Sequence, residues 1–359
     1  MSNQPVQSNA SAINVEVLDW QCSMPRMNGC FSVSGAELPR LNGHDTPWIQ
    51  AVSLGLRHRV FLLRAAVDGQ QTGLLPLNLV RGPLFGKFLV SLPYLNTGGV
   101  WASDEASACA LVGAACDLAD RLNVRYLELR HEKPVKHPRL NFQRTDKVHM
   151  RLALPSSEEA LFATFKSKLR SQIKKASEYG ATVQFGGMEC LDSFYHVFAC
   201  NMRDLGTPVF ARSLFAQIIE QFRGDAEFCI VRSQGTPIAC GLLVHSRGVS
   251  EVPSASSLRE YNSTGANMLM YSHLLRRSIE KGSQIFDFGR SSEGSGTFKF
   301  KAQWGAVPHP AIWQYYTRKM SPDEMRPDSG GKQRLVKIWQ RLPVWLTRLM
   351  GPSIVRGIP

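Results

Sequence analysis

The chain has 359 residues, with 42 Lys and Arg against 29 Asp and Glu for a formal charge of +13, and 43% of it is apolar. This composition is typical of a globular protein and excludes an intrinsically disordered chain. The length suffices for about two domains that each bury a core without disulfides, and no apolar run reaches the ~18 residues of a membrane-spanning helix.

The first residues are polar and lack the basic start and the apolar run of a secretory signal. We therefore expect a cytoplasmic protein with a disordered stretch at 1–13. The eight cysteines form no CxxC pair, which predicts reduced thiols that pack as small apolar groups.

Two segments of the chain have the same predicted order of elements: a strand hairpin, a further apolar stretch, a helix and a returning strand. The first segment has hairpin strands at 60–66 and 72–80, a helix at 106–122 and a strand at 125–130. The second, about 160 residues later, has hairpin strands at 228–232 and 237–245, a helix at 266–280 and a strand at 284–289. The repeat predicts a mixed α/β protein with two α+β domains in tandem, and chance similarity of strand-rich segments is the alternative.

The predicted organisation follows from this repeat. The chain divides into a disordered start at 1–13, a first domain at 14–150, a second domain at 151–320, a linker at 321–331 and a basic amphipathic tail at 332–359.

The second domain begins with a helix that carries a row of cations. Apolar residues recur every three or four positions from Phe162 to Ala176, while Lys166, Arg170 and Lys174 lie four apart on the adjoining face with no carboxylate among them. Such a row favours a phosphate or pyrophosphate ligand. A solvated face whose lysine stems cover apolar surface is the alternative.

A second cluster of charges follows the last strand of the repeat. Asp287 lies between aromatic residues, and Lys299 and Lys301 have the same parity on the next run, which we predict to be extended, so that they point to one side. A buried aspartate needs a partner, and Arg290 and the two lysines are candidates. The cluster is either a structural ion pair or an active site. In an active site, Asp287 orients or deprotonates a nucleophilic amine while a lysine stabilises the oxyanion.

The nine histidines show no spacing typical of metal ligands, and no serine lies in a nucleophile elbow. We therefore expect no metal and no redox cofactor.

Several stretches resemble the FemAB-like family. Residues 165–176 resemble the basic helix that opens the second acyltransferase-like domain of these proteins, and 296–305 resemble their C-terminal G-x-x-x-F-K-x-x-[FW]-G signature. Residues 73–77, 84–86 and 91–99 resemble the first domain of a FemAB-related subgroup associated with exosortase (PEP-CTERM) and exopolysaccharide systems.

The resemblance implies twin GNAT-like domains with a cleft between them. It also implies transfer of an aminoacyl group, from aminoacyl-tRNA in characterised relatives, to an amine on a cell-wall precursor that carries diphosphate. Lys301 matches the signature lysine, and Arg170 and Lys174 fall in the basic helix.

Two departures from the family pattern concern the acyl donor. About 48 residues separate Gly180 from Phe228, too few for the long helical hairpin that some relatives insert. Residues 262–267 only loosely resemble the pyrophosphate loop of acetyl-CoA users. The donor is therefore a substrate, either aminoacyl-tRNA or an acyl-CoA.

The sequence thus predicts an acyl or aminoacyl transferase that acts on a diphosphate-linked polysaccharide or peptidoglycan-type precursor. We predict Asp287 and Lys301 as catalytic residues, and as substrate-binding residues Lys166, Arg170, Lys174, Arg290 and Lys299. An acyl-CoA-dependent N-acyltransferase of exopolysaccharide biosynthesis and a catalytically silent membrane-surface adaptor of an export system are the alternatives. An enzyme requires the Asp287 cluster to face an open cleft.

The tail at 332–359 has six cations, two tryptophans and no acidic residue. This composition predicts a segment that binds an anionic membrane surface, here the inner face of the plasma membrane, and Pro343 must kink or divide any helix there. A helix docked on the protein itself through Leu335, Ile338, Trp339 and Leu342 is the alternative.

Overall fold

A computed structural model describes residues 12–20, 32–33, 35–38, 40–83, 85–318 and 332–359. The predicted linker at 321–331 and all of the predicted disordered start except residues 12 and 13 lie outside the described residues.

The strands are β1 (Asn14–Trp20), β2 (Arg59–Val67), β3 (Gln70–Gly82), β4 (Gly86–Val90), β5 (Trp101–Ala102), β6 (Tyr126–His131), β7 (Phe142–Ala153), β8 (Thr182–Gly186), β9 (Ala226–Ser233), β10 (Thr236–Ser246), β11 (Val249–Ser257), β12 (Ile285–Ser292) and β13 (Val307–Thr317). The helices are α1 (Thr46–Leu56), α2 (Glu105–Arg121), α3 (Glu158–Thr164), α4 (Ser167–Glu178), α5 (Leu191–Asp204), α6 (Arg212–Phe222), α7 (Ala266–Glu280), α8 (Gly296–Ala302), α9 (Lys332–Arg341) and α10 (Val344–Val355).

The described strands form one mixed sheet in the order β1-β2-β3-β4-β6-β13-β7-β12-β11-β10-β9-β8, with β5 paired to β3. This order has an internal symmetry. From one edge inwards the strands are β1, β2, β3, β4 and β6, and from the other edge inwards they are β8, β9, β10, β11 and β12, which correspond to them in turn. The repeat predicted from the sequence is therefore confirmed, as is the mixed α/β class.

The two copies of the repeat exchange their last strands at the centre of the sheet. β7 follows the first copy but pairs with β12, and β13 follows the second copy but pairs with β6. β7 and β13 pair with each other, with His149 opposite His309. The predicted boundary between residues 150 and 151 falls inside β7, on the exchanged strand.

Both predicted hairpins are present, and their turns have the same backbone geometry. The φ angles are 48° and 79° at Asp68 and Gly69, and 49° and 79° at Gln234 and Gly235. Two consecutive residues with positive φ produce the twist that joins neighbouring antiparallel strands, and glycine adopts it without a Cβ penalty.

An apolar core joins the two copies. α1 from the first copy packs on α6 from the second, and their shared core includes Trp48, Phe194 and Phe215, all fully buried. Gly55 of α1 lies so close to α6 that a Cβ there would be 2.5 Å from the Cα of Leu214. The other two large cores lie under α2 in the first copy and under α4 and α7 in the second.

Two local predictions were wrong. The basic segment is not one continuous helix, since Phe165 has an extended backbone between α3 and α4 and Lys166 precedes α4 as its N-cap residue. Lys299 and Lys301 do not lie on an extended run, because the Ser295 hydroxyl accepts the Phe298 amide and starts the short helix α8. Residues two apart on a helix point in nearly opposite directions, so Lys301 is buried and Lys299 is exposed.

Candidate active site

The parallel strands β11 and β12 diverge inside the sheet. They pair over only three positions, the last being Glu251 opposite Asp287. Beyond this pair β12 continues along β7 while β11 continues along β10. The two carboxyl groups therefore lie side by side where the gap between the strands begins.

A narrow pocket with a cavity volume of about 10 Å³ occupies this gap, and the empty space including its open mouth is about 300 Å³. Its lining combines residues from both copies: Leu95, Asn96, Thr97, His149, Glu251, Val252, Pro253, Asp287 and Gly289. Asp287 thus lines a narrow pocket between the two halves of the chain, whereas Arg290 and Lys301, the other members of the predicted cluster, do not line it.

One wall of the pocket is a loop held in an unfavourable backbone conformation. Leu92 and Tyr94 have φ angles of 59° and 77°, a region that costs side-chain-bearing residues about 1 kcal/mol or more. The Tyr94 hydroxyl lies 2.8 Å from the Ser254 hydroxyl on β11, and the Trp313 indole donates to the Asn96 carbonyl at 3.3 Å. These contacts fix the loop on both sides of the pocket.

The Asp287 carboxylate has two fixed donors. Arg151 Nε donates to it at 2.9 Å and the Gly289 amide at 2.7 Å. Arg151 Nη1 in turn donates to Glu132 at 2.9 Å. The expected partners Arg290 and the lysines are therefore replaced by Arg151, which the sequence analysis missed because it lies 136 residues away on the exchanged strand β7.

Lys301 is buried beside the same strand but does not line the pocket. Its ammonium donates to the carbonyls of Gly289 and Arg290 at 3.0 and 3.1 Å. Burial lowers the pKa of Lys301 to about 8, although the nearby Asp287 charge opposes the shift. The side chain holds the backbone of β12 just beyond Asp287.

Glu251 differs from Asp287 in its electrostatic environment. Burial and the neighbouring charges of Asp287 and Asp45 raise the pKa of Glu251 to about 8, and the Trp48 indole donates to its carboxyl at 2.8 Å. Glu251 was not among the residues predicted from the sequence, although an ionisable side chain among the small residues of β11 is a signal for it.

His149 faces the pocket from the exchanged strand. Burial lowers the pKa of its imidazole to about 4, so the ring is neutral at physiological pH. Neither ring nitrogen has a hydrogen-bond partner among the described residues, although the side chain is only 1% exposed. A buried polar group without a partner is costly, so these nitrogens are available to a ligand in the pocket.

Arg290 lies in a second, smaller pocket, a shallow one without enclosed cavity volume, whose other lining residues are Arg144, Asp146, Lys147, Ala311 and Trp313. Its guanidinium carbon lies 3.7 Å from the centroid of the Trp313 ring, and burial lowers the pKa of Arg290 to about 10. Arg144 pairs with Asp146, whereas the described residues include no carboxylate in an ion pair with Arg290. This pocket has an excess of positive charge.

The predicted cation row is on the exposed surface of α4 and lines neither pocket. Lys166, Arg170 and Lys174 are all exposed, and Lys174 lies 3.7 Å from Glu178 one turn later. The structure therefore does not bring this row together with Asp287.

Residues 163–302 match the family model of the acetyltransferase (GNAT) domain. This segment is a GNAT domain. It contains α4, α7 and both carboxyl-bearing strands of the candidate site. No curated protein matches the chain.

Most of the chain has a fold similar to that of proteins with tandem GNAT domains. A crystal structure of FemX has a TM-score of 0.61 at 15% identity and covers 91% of this chain and 100% of its own. A tandem GNAT protein from the clavulanic acid biosynthesis pathway has a TM-score of 0.50 at 12% identity, covering 86% and 100%. The L-PGS structure from Bacillus licheniformis has a TM-score of 0.50 at 14% identity, covering 85% and 90%.

The first GNAT-like copy has its corresponding gap filled by its own chain. β4 and β6 also diverge after a short parallel pairing that ends at Val90 opposite Glu128. Arg130, two residues on, pairs with Glu128 at 2.7 Å and also donates to the Leu95 carbonyl. Its amide donates to the Ser91 hydroxyl at 2.8 Å. In the first copy, Arg130 and its partners thus occupy the position that corresponds to the pocket of the second copy.

Proposed function

We propose that the protein is an acyltransferase whose working site is the pocket between β11 and β12. The observation that carries the proposal is the pair of carboxyl groups where β11 and β12 separate. Asp287 is ion-paired with Arg151, and the pKa of Glu251 is raised to about 8. Two neighbouring carboxyls in different environments are typical of sites that divide acid and base roles.

The acceptor in this proposal is an amine that enters the pocket as an ammonium ion. Asp287 orients the ammonium group, and ionised Glu251 takes the proton that the amine must lose before it attacks. The amine nitrogen then forms a bond to the acyl carbon, and the ester or thioester bond of the donor breaks. The leaving oxygen or sulfur regains a proton, so that no metal or redox group is needed.

Two further residues support the transition state. Neutral His149 offers a hydrogen bond from the floor of the pocket. Lys301 does not line the pocket, and two of its three N–H groups donate to backbone carbonyls. A direct role in catalysis requires that its third N–H reach the developing oxyanion.

For the donor, we propose an aminoacyl group carried by tRNA, with an acyl-CoA as the alternative. The likeness of 165–176 and 296–305 to the FemAB-like motifs supports the first, and the acetyltransferase family model supports the second. α4 packs against the loop that precedes α7, where a Cβ at Gly265 would lie 3.1 Å from the Ala176 Cβ. This contact covers part of the loop at 262–267 that a CoA pyrophosphate would need.

For the acceptor, we propose a cell-envelope precursor with a diphosphate-linked sugar or peptide. The cationic pocket of Arg144, Lys147 and Arg290 supports an anionic group close to the reacting amine. Trp313 connects the two pockets, since it lines the smaller one and donates to Asn96 of the larger.

The test has two stages. Mass spectrometry of RNA and small molecules that co-purify with the protein identifies donor and acceptor candidates, and single-turnover assays then compare aminoacyl-tRNA with acyl-CoA. Glu251→Gln should abolish transfer, whereas the matched exposed change Glu293→Gln should leave it unchanged. If the wild-type protein transfers no group from either donor, the adaptor alternative is supported and the proposal fails.

A further inference from the structure

The tail at 332–359 is attached to the body of the protein by one side of α10. Thr347, Gly351 and Val355 are buried and recur every four residues, so they form one face. A Cβ at Gly351 would be 2.8 Å from the Val209 amide nitrogen. The end of the tail is held by Arg356, whose guanidinium donates to the Arg57 carbonyl at 2.9 Å. The orientation of α10 is therefore fixed.

The same helices expose large apolar side chains on the other side. Of the thirteen large apolar side chains exposed in the described residues, seven are in this tail: Leu335, Val336, Ile338, Trp345, Leu349, Met350 and Ile358. Trp345 and Leu349 are 67% and 70% exposed, and they lie on the side of α10 opposite its buried face. Leu335 and Ile338 on α9 are 67% and 58% exposed. Such concentration of apolar surface marks an interaction site.

Positive charges accompany this apolar surface without compensation. Arg334, Lys337 and Arg341 are exposed on α9, and none of them forms an ion pair with another described residue. The tail itself contains no acidic residue. Apolar side chains flanked by cations match the two layers of an anionic bilayer surface, its acyl boundary and its negative headgroups.

We propose that α9 and α10 form a lipid-docking face that places the protein on an anionic membrane surface. None of the helices in the described ranges is long and apolar enough to cross a membrane, so the face would lie on the bilayer. Pro343, at the junction of the two helices, lets each present its apolar side at its own angle. The proposal concerns surface residues far along the chain from Glu251 and Asp287 and does not depend on the proposed activity.

The first test removes charge from the full chain. Co-sedimentation is measured with vesicles of equal parts phosphatidylcholine and phosphatidylglycerol at about 20 mM salt, where electrostatic attraction is weakly screened. Each cation near such a surface contributes about a fivefold factor to binding, so Arg334→Gln, Lys337→Gln and Arg341→Gln together should weaken it about a hundredfold. Binding of the wild-type chain should fall steeply at about 0.5 M salt.

The second test removes the apolar contacts. Leu335→Ser, Ile338→Ser, Trp345→Ser and Leu349→Ser together should reduce vesicle binding at least tenfold and decrease the blue shift of tryptophan fluorescence on vesicle addition. These side chains are exposed, so circular dichroism should remain that of the wild type. The control, Tyr179→Ser with Val307→Ser, changes apolar residues outside the tail that are 53% and 54% exposed, and it should bind as the wild type does.

Three results would overturn the proposal: equal binding of the wild-type chain to purely neutral vesicles, undiminished binding of the serine variant, or a concentration-dependent dimer that the serine variant abolishes while neither chain binds lipid. The last result would assign the face to a second copy of the chain.

Discussion

Glu251 and Asp287 are neighbours across two strands, yet their surroundings favour different protonation states. Asp287 is fixed by Arg151 and by the Gly289 amide. Glu251 is half-buried near the charges of Asp287 and Asp45, and its hydrogen-bond partners are the Trp48 indole and the Asn42 side chain. A base with a pKa near 8 can both accept a proton from an amine and release it again near neutral pH.

The first prediction concerns the pH dependence of activity and stability at Glu251. If ionised Glu251 is the base, kcat/KM should rise about tenfold per pH unit and level off above pH 8, and Glu251→Gln should lower it by about 10²- to 10⁴-fold. The raised pKa means that the folded protein binds a proton which the unfolded chain releases. The free energy of unfolding should therefore fall between pH 4.5 and 8, and Glu251→Gln should remove this contribution in urea titrations. A wild-type pH profile retained in Glu251→Gln would exclude this role.

The second prediction distinguishes two possible roles of Lys301, stabilising the oxyanion and holding the backbone of β12. Lys301→Ala should lower turnover by about two to three decades if its third N–H stabilises the oxyanion. Lys301→Arg keeps the charge but cannot place it against both the Gly289 and Arg290 carbonyls. A role limited to holding β12 would instead appear as a loss of unfolding free energy in both variants with normal turnover of the folded fraction. Asp287→Asn should impair turnover or stability, because it weakens the ion pair with Arg151.

The third prediction compares the two cationic surfaces at which an anionic acceptor could bind. Charge-assisted contacts contribute roughly 1.5–3 kcal/mol each, so losing one or two should weaken binding by one decade or more. Arg290→Ala tests the pocket beside Trp313, and Arg170→Ala with Lys174→Ala tests the exposed face of α4. Calorimetry with a diphosphate-bearing acceptor measures both. Unchanged affinity in the α4 variant would leave that face as solvated surface.

At the scale of elements, two helices can approach closely where a glycine lies at their contact. The sequence of one helix alone does not show that its glycine has this function. Gly55 lowers the intrinsic helix propensity of α1, yet it lets α1 contact the backbone of α6. Gly113, within α2, would place a Cβ no closer than 3.5 Å to its nearest neighbour, the His137 ring. The same substitution should therefore act in opposite directions at the two sites.

The fourth prediction follows from this pair. Gly55→Ala should destabilise the protein by about 1–3 kcal/mol, because the new methyl group overlaps the Leu214 backbone and separates the two copies. Gly113→Ala should stabilise it by about 0.5–1 kcal/mol through helix propensity. Chemical unfolding measures both. A stabilising Gly55→Ala would show that the α1–α6 contact contributes little to the union of the two halves.

At the scale of the whole molecule, buried histidines connect its parts. His44, His58, His131 and His149 are buried and come from different elements of the first half and the exchanged strand. Burial lowers the pKa of each to about 4. His58 also lies 3.0 Å from the Arg356 carbonyl at the end of the tail.

The fifth prediction is that the protein loses stability in mild acid. Each of these histidines binds a proton more readily in the unfolded chain, so its contribution is complete above pH 6.5 and is lost as the pH falls towards 4. Four such groups outweigh the opposite contribution of Glu251. Urea titrations at pH 7 and 5 should show a lower free energy of unfolding at pH 5. Equal stability at the two values would mean that the histidines remain accessible to protons in the folded protein.

The elements whose causes are local could be predicted from the amino-acid sequence. Both hairpins follow from alternating apolar strands around the Asp68-Gly69 and Gln234-Gly235 turns, and α2 and α7 follow from helical periodicity. The repeat of these elements indicated the tandem arrangement, and Asp287 was identified because a carboxylate in an apolar strand needs a partner. Helix α8 was misassigned because a segment of seven residues has too few turns for periodicity to distinguish it from a strand.

How the two copies join, and which distant residues come into contact, could not be predicted from local sequence. The exchange of β7 and β13 brings Arg151 to Asp287 and His149 into the pocket. Strands pair through backbone groups that every residue has, so the side chains of β7 and β13 do not by themselves specify this exchange. The register of Glu251 against Asp287 and the filling of the first gap by Arg130 likewise depend on pairings between segments distant in sequence. Local propensity contains no information on such pairings, because their energy exists only once the sheet has formed.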